Sequence, residues 1–95
     1  MTINLSRRES DAGYAGVLAW LNARWRVIVC RDGIQWILQR HKRPGSVSGA
    51  QWTGEKYHRT RERLIRSCHA LAREISASAL AILQALPAHI TEVRS

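Results

Sequence analysis

The chain has 95 residues, of which 45% are hydrophobic, and a formal net charge of +8 at pH 7. A chain this short organises a single hydrophobic core, so one small domain is expected. It contains no run of about 18 apolar residues, which excludes a transmembrane helix, and its first residues lack the apolar segment of a secretory signal. Without such a signal, Cys30 and Cys68 are predicted to be free, buried thiols of a cytoplasmic protein.

Residues 10–22 have two interpretations. The apolar positions are Tyr14, Val17, Leu18 and Leu21. Their spacing predicts a short amphipathic helix. Gly13 and Gly16 disfavour a helix, so an extended conformation from Val17 to Leu21 is the alternative.

The clearest local signal is a β-hairpin that turns at Asp32-Gly33. The segments Arg24–Arg31 and Ile34–His41 are rich in Trp, Val and Ile, and the two residues between them suit a type I′ turn. A two-residue loop fixes the register, and alternation then assigns each side chain to one face. The face predicted to be core carries Trp25, Val27, Val29, Ile34, Trp36 and Leu38. The opposite face is predicted to be apolar near the turn and basic at the open end.

The rest of the chain predicts a third strand and two helices. Gln51 to Thr53 follow a Gly/Ser-rich loop and are predicted to form a short strand. From about Lys56 to Ile75, apolar residues, Tyr57 among them, fall on one side of a helix and basic residues on the other. A last helix is predicted to begin within residues 76–78 and to end at Pro87.

The predicted fold class is α+β. A small antiparallel hairpin or three-stranded sheet is packed by a long basic amphipathic helix and a short C-terminal helix. The single domain covers residues 11–90, after a disordered N-terminus at residues 1–10 and before a frayed tail at residues 91–95. The edge of such a ribbon is a candidate seam for a homodimer.

Neither metal binding nor catalysis is indicated. Structural zinc needs short paired spacings, and the only close pair is Cys68-His69, whose side chains diverge by about 100° around a helix. Both cysteines occupy apolar positions, and the carboxylates are few and scattered, so neither a thiolate nucleophile nor a paired-acid site is indicated. The sequence predicts a protein that is not an enzyme and uses no cofactor.

Positive charge is concentrated in residues 24–66, where eleven Lys or Arg face three Asp or Glu, and eleven minus three is the whole net charge of +8. Such a charge attracts nucleic acid, an acidic protein face or a nucleoprotein. The candidate binding residues are Arg24, Arg26, Arg40, His41, Lys42 and Arg43 at the open end of the hairpin, Lys56, Arg59, Arg63 and Arg66 on the helix, and Trp52 between them. The two basic groups form one patch only if the loop brings the helix start beside the open end.

Two of these features have a plainer alternative. The helical stripe is also typical of a solvated face that only keeps a protein soluble. Trp52 is either a buried anchor that pins the loop to the core or an exposed ring that stacks on a base.

Three runs of the chain carry a resemblance to other proteins. They are WRVIVCRDGIQWILQR (Trp25–Arg40), RTRERLIRSC (Arg59–Cys68) and ALAILQALP (Ala79–Pro87). These runs resemble short uncharacterised proteins of bacterial genomes and of mobile elements such as prophages, over residues from about 20 to 90. The resemblance implies a bacterial, phage-linked setting, where small single-domain proteins act on DNA or inhibit host nucleoprotein machinery such as CRISPR effectors. It assigns no functional residue.

Two functions follow as expectations. The first is a small basic protein, not an enzyme, that contacts nucleic acid or a nucleoprotein through its Lys/Arg patch. The alternative is a protein-interaction factor of a mobile element, such as an anti-CRISPR-like inhibitor, that docks on an acidic or nucleic-acid-binding surface of a host protein. No membrane partner is expected in either case.

Overall fold

The structure, a computed structural model, describes residues 7–42 and 51–90. Four strands precede two helices: β1 (Val17–Trp20), β2 (Trp25–Val29), β3 (Trp36–His41), β4 (Trp52–His58), α1 (Arg61–Ser67) and α2 (Ala77–Gln84). The strands form one antiparallel sheet in the order β1-β2-β3-β4. The predicted α+β class is therefore confirmed, with one strand more than the largest sheet expected.

The central hairpin has the predicted register but a different turn. Val29 pairs with Trp36 across β2 and β3, as alternation from a short loop requires. The amide of Gly33 donates to the carbonyl of Cys30 at 2.9 Å. Gly33 has a φ of 72°, whereas Asp32 does not have a positive φ. The predicted type I′ turn is therefore wrong, because that turn needs left-handed backbone at both residues.

The segment with two interpretations is extended. Val17–Trp20 form β1, which pairs antiparallel to β2, so the predicted amphipathic helix is wrong and the alternative is confirmed. Gly16 has a packing role just before this strand, since a Cβ there would lie 2.6 Å from the ring of Tyr14. The close approach of that ring explains a glycine that a helix would not favour.

The region after the hairpin contains more strand and less helix than predicted. β4 is seven residues long and includes Lys56 and Tyr57. The helix begins at Arg61 rather than at Lys56, because Thr60 caps it by accepting a hydrogen bond from the amide of Arg63. After α1 the chain continues as a π-helical turn over Cys68–Ala72, so the long regular helix to Ile75 is also wrong.

The two helices cover one face of the sheet, called here the helix face. Its buried residues are Ala19, Leu21, Val27, Trp36, Leu38, Leu64, Cys68, Ala72, Ala79 and Leu83. Trp25 and Val29 pack partly buried against this cluster, as predicted for the core face of the hairpin. Ile34 does not, because it packs on the opposite side, near the turn.

The segment before β1 covers the other face, called here the N-terminal face. Tyr14 packs there with Ile28, Cys30 and Ile37 in a second, smaller cluster. The hydroxyl of Tyr14 donates to the carbonyl of Val29 at 2.8 Å. Near the turn this face is apolar, as predicted, and it forms a second core layer.

Candidate functional site

Arg26, one of the predicted binding residues, is buried under the N-terminal face, with 0% of its surface exposed. Its Nε donates to Gln39 Oε1 at 2.7 Å, and its two terminal nitrogens donate to the carbonyls of Glu9 (3.0 Å), Asp11 (2.9 Å) and Ala12 (3.2 Å). Burial lowers the pKa of Arg26 to about 10, which keeps it charged at pH 7. Arg26 thus holds the N-terminal segment on the sheet and is not available to a partner.

Of the two interpretations of Trp52, the buried anchor is confirmed, because only 4% of its surface is exposed. The guanidinium of Arg26 lies 4.3 Å from the centroid of the Trp52 ring. The rings of Trp20 and His41 pack edge-on to it, with centroid separations of 5.4 and 4.8 Å. Both Trp52 and His41 therefore belong to an aromatic and cationic stack, and the Trp52 ring has no free face for a base.

The remaining residues at the open end of the hairpin form a loose group. Arg24 is exposed, and Lys42 is half-buried. Arg40 lies 3.6 Å from the carboxylate of Glu55, which offsets part of its charge. Arg43 lies outside the described residues. The open end thus presents fewer free cations than its composition suggests.

The second predicted group comes together where β4 meets α1. Lys56 lies on β4, Arg59 at the junction and Arg63 on the first turn of α1, and all three are exposed. Within residues 7–42 and 51–90, none of these three side chains forms an ion pair or a hydrogen bond. We call these three residues the edge patch, because β4 is the last strand of the sheet.

His58 lies beside the edge patch, and the charges of the patch affect its pKa. Burial lowers the pKa of His58, and the nearby cations Lys56 and Arg63 lower it further. Its Nε2 forms a 2.7 Å hydrogen bond with Ser67 Oγ, which ties the end of β4 to the end of α1. Strand and helix therefore bring two positive side chains to one imidazole.

Arg66 is at the margin of this patch. It forms an ion pair with Glu62 at 2.9 Å, and the two side chains are 73% and 80% exposed. A pair this exposed contributes about 0–1 kcal/mol to stability. Glu62 also offsets the positive charge on this side of α1.

The two predicted basic groups do not form one patch. His58 pairs with Trp36 next to the hairpin turn, whereas Trp52 pairs with His41 at the open end. The strand from Trp36 to His41 is about 17 Å long, at ~3.4 Å per residue. The start of α1 therefore lies near the turn, and the condition for a continuous patch is not met.

Tyr57 is the exposed aromatic of this region, although its spacing predicted a place in the core. It lies on β4 beside Lys56 and is 56% exposed. Its hydroxyl and ring lie over Gly54, where an added Cβ would collide with them. A groove of about 240 Å³ opens between Tyr57 and the N-terminal segment at Ser10. The sequence signal for this arrangement was the glycine three residues before Tyr57, which favours a close approach in a strand.

A third basic group lies at the hairpin turn and was also missed. Arg7, Arg8 and Arg31 line a groove of about 470 Å³ together with Glu9 and Asp32. The amide of Arg31 donates to the carboxylate of Glu9 at 2.7 Å. Since this groove mixes both signs of charge, it attracts an anion less strongly than the edge patch does.

The chemistry of the described residues gives no sign of a metal centre or a reactive thiol. Within residues 7–42 and 51–90, no three His, Cys, Asp or Glu side chains lie close enough to bind a metal ion. Both cysteines are free and buried, as predicted. Burial raises the pKa of Cys68 to about 12, so this thiol lacks the thiolate character of a nucleophile. None of the helices in the described ranges has the length and apolar character that a bilayer span requires.

Comparison with protein-family models, with curated proteins and with solved structures finds no match to the chain.

Proposed function

We propose that the chain is a nucleic-acid-binding protein, not an enzyme, that contacts the phosphate backbone through the edge patch. The observation that carries the proposal is that three exposed cations, Lys56, Arg59 and Arg63, lie close together in the chain across the junction of β4 and α1. None of them has a carboxylate partner among the described residues. Cations that are exposed and unpaired within the fold are free to bind phosphate oxygens.

The electrostatics of His58 support the same site. Burial lowers the pKa of this imidazole, and Lys56 and Arg63 lower it further, so both cations interact with His58 at the sheet edge. A phosphate bound beside His58 would offset their effect on it. Binding should therefore raise the pKa of His58, and proton uptake should accompany the association.

The composition of the patch favours nucleic acid over a protein surface. The centres of protein–protein interfaces are depleted in charged residues as a group, although Arg is enriched there, whereas phosphate contacts are made mainly by Lys and Arg. The edge patch consists of one Lys and two Arg. If nucleic acid does not bind, the alternative function, an inhibitor that docks on a host protein, is favoured.

The first experiment is a titration with random-sequence DNA and RNA at 50 and 200 mM salt. Three phosphate contacts predict that the affinity falls roughly 20- to 40-fold between these salt concentrations, since each contact adds a slope of about −0.7 to −0.9. An absence of binding at the lower salt concentration would reject the proposal and leave the acidic or nucleoprotein partner.

The second experiment locates the site. The triple variant Lys56→Gln, Arg59→Gln, Arg63→Gln is compared with the control triple Arg24→Gln, Lys42→Gln, Arg73→Gln. Both remove three positive charges, but only the first removes the edge patch. We expect the first to lose most of the affinity and most of the salt dependence, and the control to retain both. Equal losses would mean that binding depends on net charge alone.

A further inference from the structure

We infer that the edge patch and Tyr57 together form a site for single-stranded nucleic acid, in which Tyr57 stacks on a base and the patch contacts the neighbouring phosphates. The inference rests on the proposed function and narrows its partner from nucleic acid in general to an unpaired strand. Proteins that bind single strands combine basic grooves with aromatic rings that stack on bases.

The exposure of Tyr57 is the first argument. More than half of its surface is accessible (56%), although the ring rests on the sheet. It directly follows Lys56 in β4, and Arg59 is two residues further along the chain. A tyrosine offers a large rigid contact surface at low entropic cost, which suits a stacking platform.

Gly54 leaves room for this ring. A Cβ on Gly54 would lie 2.9 Å from Cζ of Tyr57, closer still to its hydroxyl, and 3.2 Å from a methyl carbon of Ile37. Only a residue without a side chain leaves this space to the tyrosine. The ring therefore fits against the sheet at this position, and a side chain on residue 54 would displace it.

The groove beside the ring is the second argument. It has a volume of about 240 Å³ and is lined by Tyr57, Trp52, Gln39, Ser10 and Glu9, among others. The carboxylate of Glu9 accepts a hydrogen bond from the amide of Arg31. This volume lies below the roughly 300–1,000 Å³ typical of pockets for drug-sized ligands. A single planar ring is therefore the expected occupant.

Strand geometry brings base and phosphate contacts to one edge. Successive side chains of a strand point to opposite faces, so Tyr57 lies on the N-terminal face while Lys56 and His58 lie on the helix face. A nucleotide strand along β4 would place bases on one side of that edge and phosphates on the other. The exposed Lys56 and the bulge in β4 also protect this edge from pairing with a second copy of the chain. The bulge lies at Glu55, since Lys56 pairs with Leu38 and Gly54 with Gln39.

Stacking separates single strands from duplexes. In a duplex both faces of each base are already stacked, so Tyr57 can add contacts only to an unpaired base. Cations alone have the opposite preference, because a duplex carries the higher charge density. A higher affinity for the single strand than for the duplex would therefore indicate stacking on Tyr57, because the edge patch alone favours the duplex.

The test measures the affinity for a mixed-sequence single strand, its duplex and an abasic strand of equal length, each as DNA, with the single strand also as RNA. We expect the wild-type protein to bind the single strand about tenfold more tightly than the abasic strand. Tyr57→Ala should abolish that difference and leave duplex binding unchanged, whereas Tyr57→Phe should retain it. The RNA arm shows whether ribose matters to the site.

Gly54→Ala provides a second variant in which the tyrosine is present but displaced. It should weaken single-strand binding as Tyr57→Ala does, and circular dichroism establishes that both variants fold. If the edge-patch triple variant loses binding but Tyr57→Ala binds all ligands normally, the inference is wrong and the proposed function stands. If the wild-type protein binds no nucleic acid, both are wrong.

Discussion

The guanidinium of Arg26 lies 4.3 Å from the centroid of the buried Trp52 ring. These two residues come from different strands, and both were candidate binding residues, with a buried anchor as the alternative for Trp52. Their contact instead lies inside the fold. The same guanidinium also joins the N-terminal segment to the sheet, since it donates to three carbonyls of that segment. A charge buried in this way stabilises the fold only while its hydrogen bonds are complete.

Arg26→Met should therefore destabilise the protein strongly. The variant removes the donor to Gln39 Oε1 and to the carbonyl of Ala12. It also removes one of two donors to the carbonyls of Glu9 and Asp11, which keep their bonds from Gln39 Nε2 and from the amide of Tyr14. We expect a loss of about 3 kcal/mol in the free energy of unfolding, measured by urea denaturation. Amide hydrogen exchange of residues 8–14 should also become faster, because this segment loses its attachment.

Arg24→Met is the matched control for that experiment. Arg24 is exposed just before the same strand, so its replacement should change the stability by less than about 0.5 kcal/mol. Similar losses in the two variants would mean that a positive charge at this end of the hairpin matters in general, and that the buried hydrogen bonds do not.

Gly33→Ala tests the hairpin turn. Gly33 has a φ of 72°, a conformation in which an alanine is strained, and we expect a loss of about 1 kcal/mol. Gly13→Ala is the control, because nothing lies within 4 Å of a Cβ at that position and its φ is not positive. That variant should be neutral or slightly stabilising by thermal denaturation, and a loss equal to that of Gly33→Ala would contradict the argument.

The hairpin register could be predicted because two constraints agree there. A short loop leaves few registers, and alternation with period two selects among them, so the pairing of Val29 with Trp36 follows from sequence. The burial of Arg26 on the second face of the hairpin could not be predicted in the same way. What covers Arg26 is a segment without regular structure that lies far from it in sequence.

The position of the helix start shows a second limit. Lys56 and Tyr57 fit the periodicity of the helix that follows, yet they extend β4 through pairing with Leu38 and Ile37. Thr60 was the available boundary signal, as a capping residue directly before Arg61. The edge patch is nevertheless composed of predicted residues, because charge clustered in sequence stays clustered across a strand–helix junction.

His58 should make the stability depend on pH. Burial and the charges of Lys56 and Arg63 lower its folded-state pKa below the ordinary 6.5, so the unfolded chain takes up a proton first as the pH falls. The free energy of unfolding should therefore decrease as the pH falls through 6.5 towards the lowered pKa. Urea denaturation of His58→Gln should show a flatter profile in that window. A steeper profile in the variant would reverse the assigned sign.

Ser76 connects α2 to the first strand and provides the last prediction. Its hydroxyl accepts a hydrogen bond from the amide of Ala79 at 3.2 Å and donates to the carbonyl of Trp20 at 3.3 Å. Its own amide donates to the carbonyl of Leu21 at 3.0 Å. Ser76→Ala removes the helix cap and the bond to Trp20, and should lower the free energy of unfolding by about 1–2 kcal/mol.

Two further variants separate the roles of this hydroxyl. Ser76→Asp keeps an acceptor for the amide of Ala79 but cannot donate to Trp20, so its loss in urea denaturation should be smaller than that of Ser76→Ala. Ser78→Ala is the control, because Ser78 is exposed within the first turn. Among the described residues, its hydroxyl forms a hydrogen bond only with that of Ser76, at 3.4 Å. Alanine is the better helix former there, so this variant should be close to neutral. If Ser78→Ala costs as much as Ser76→Ala, the cap is not what joins α2 to β1.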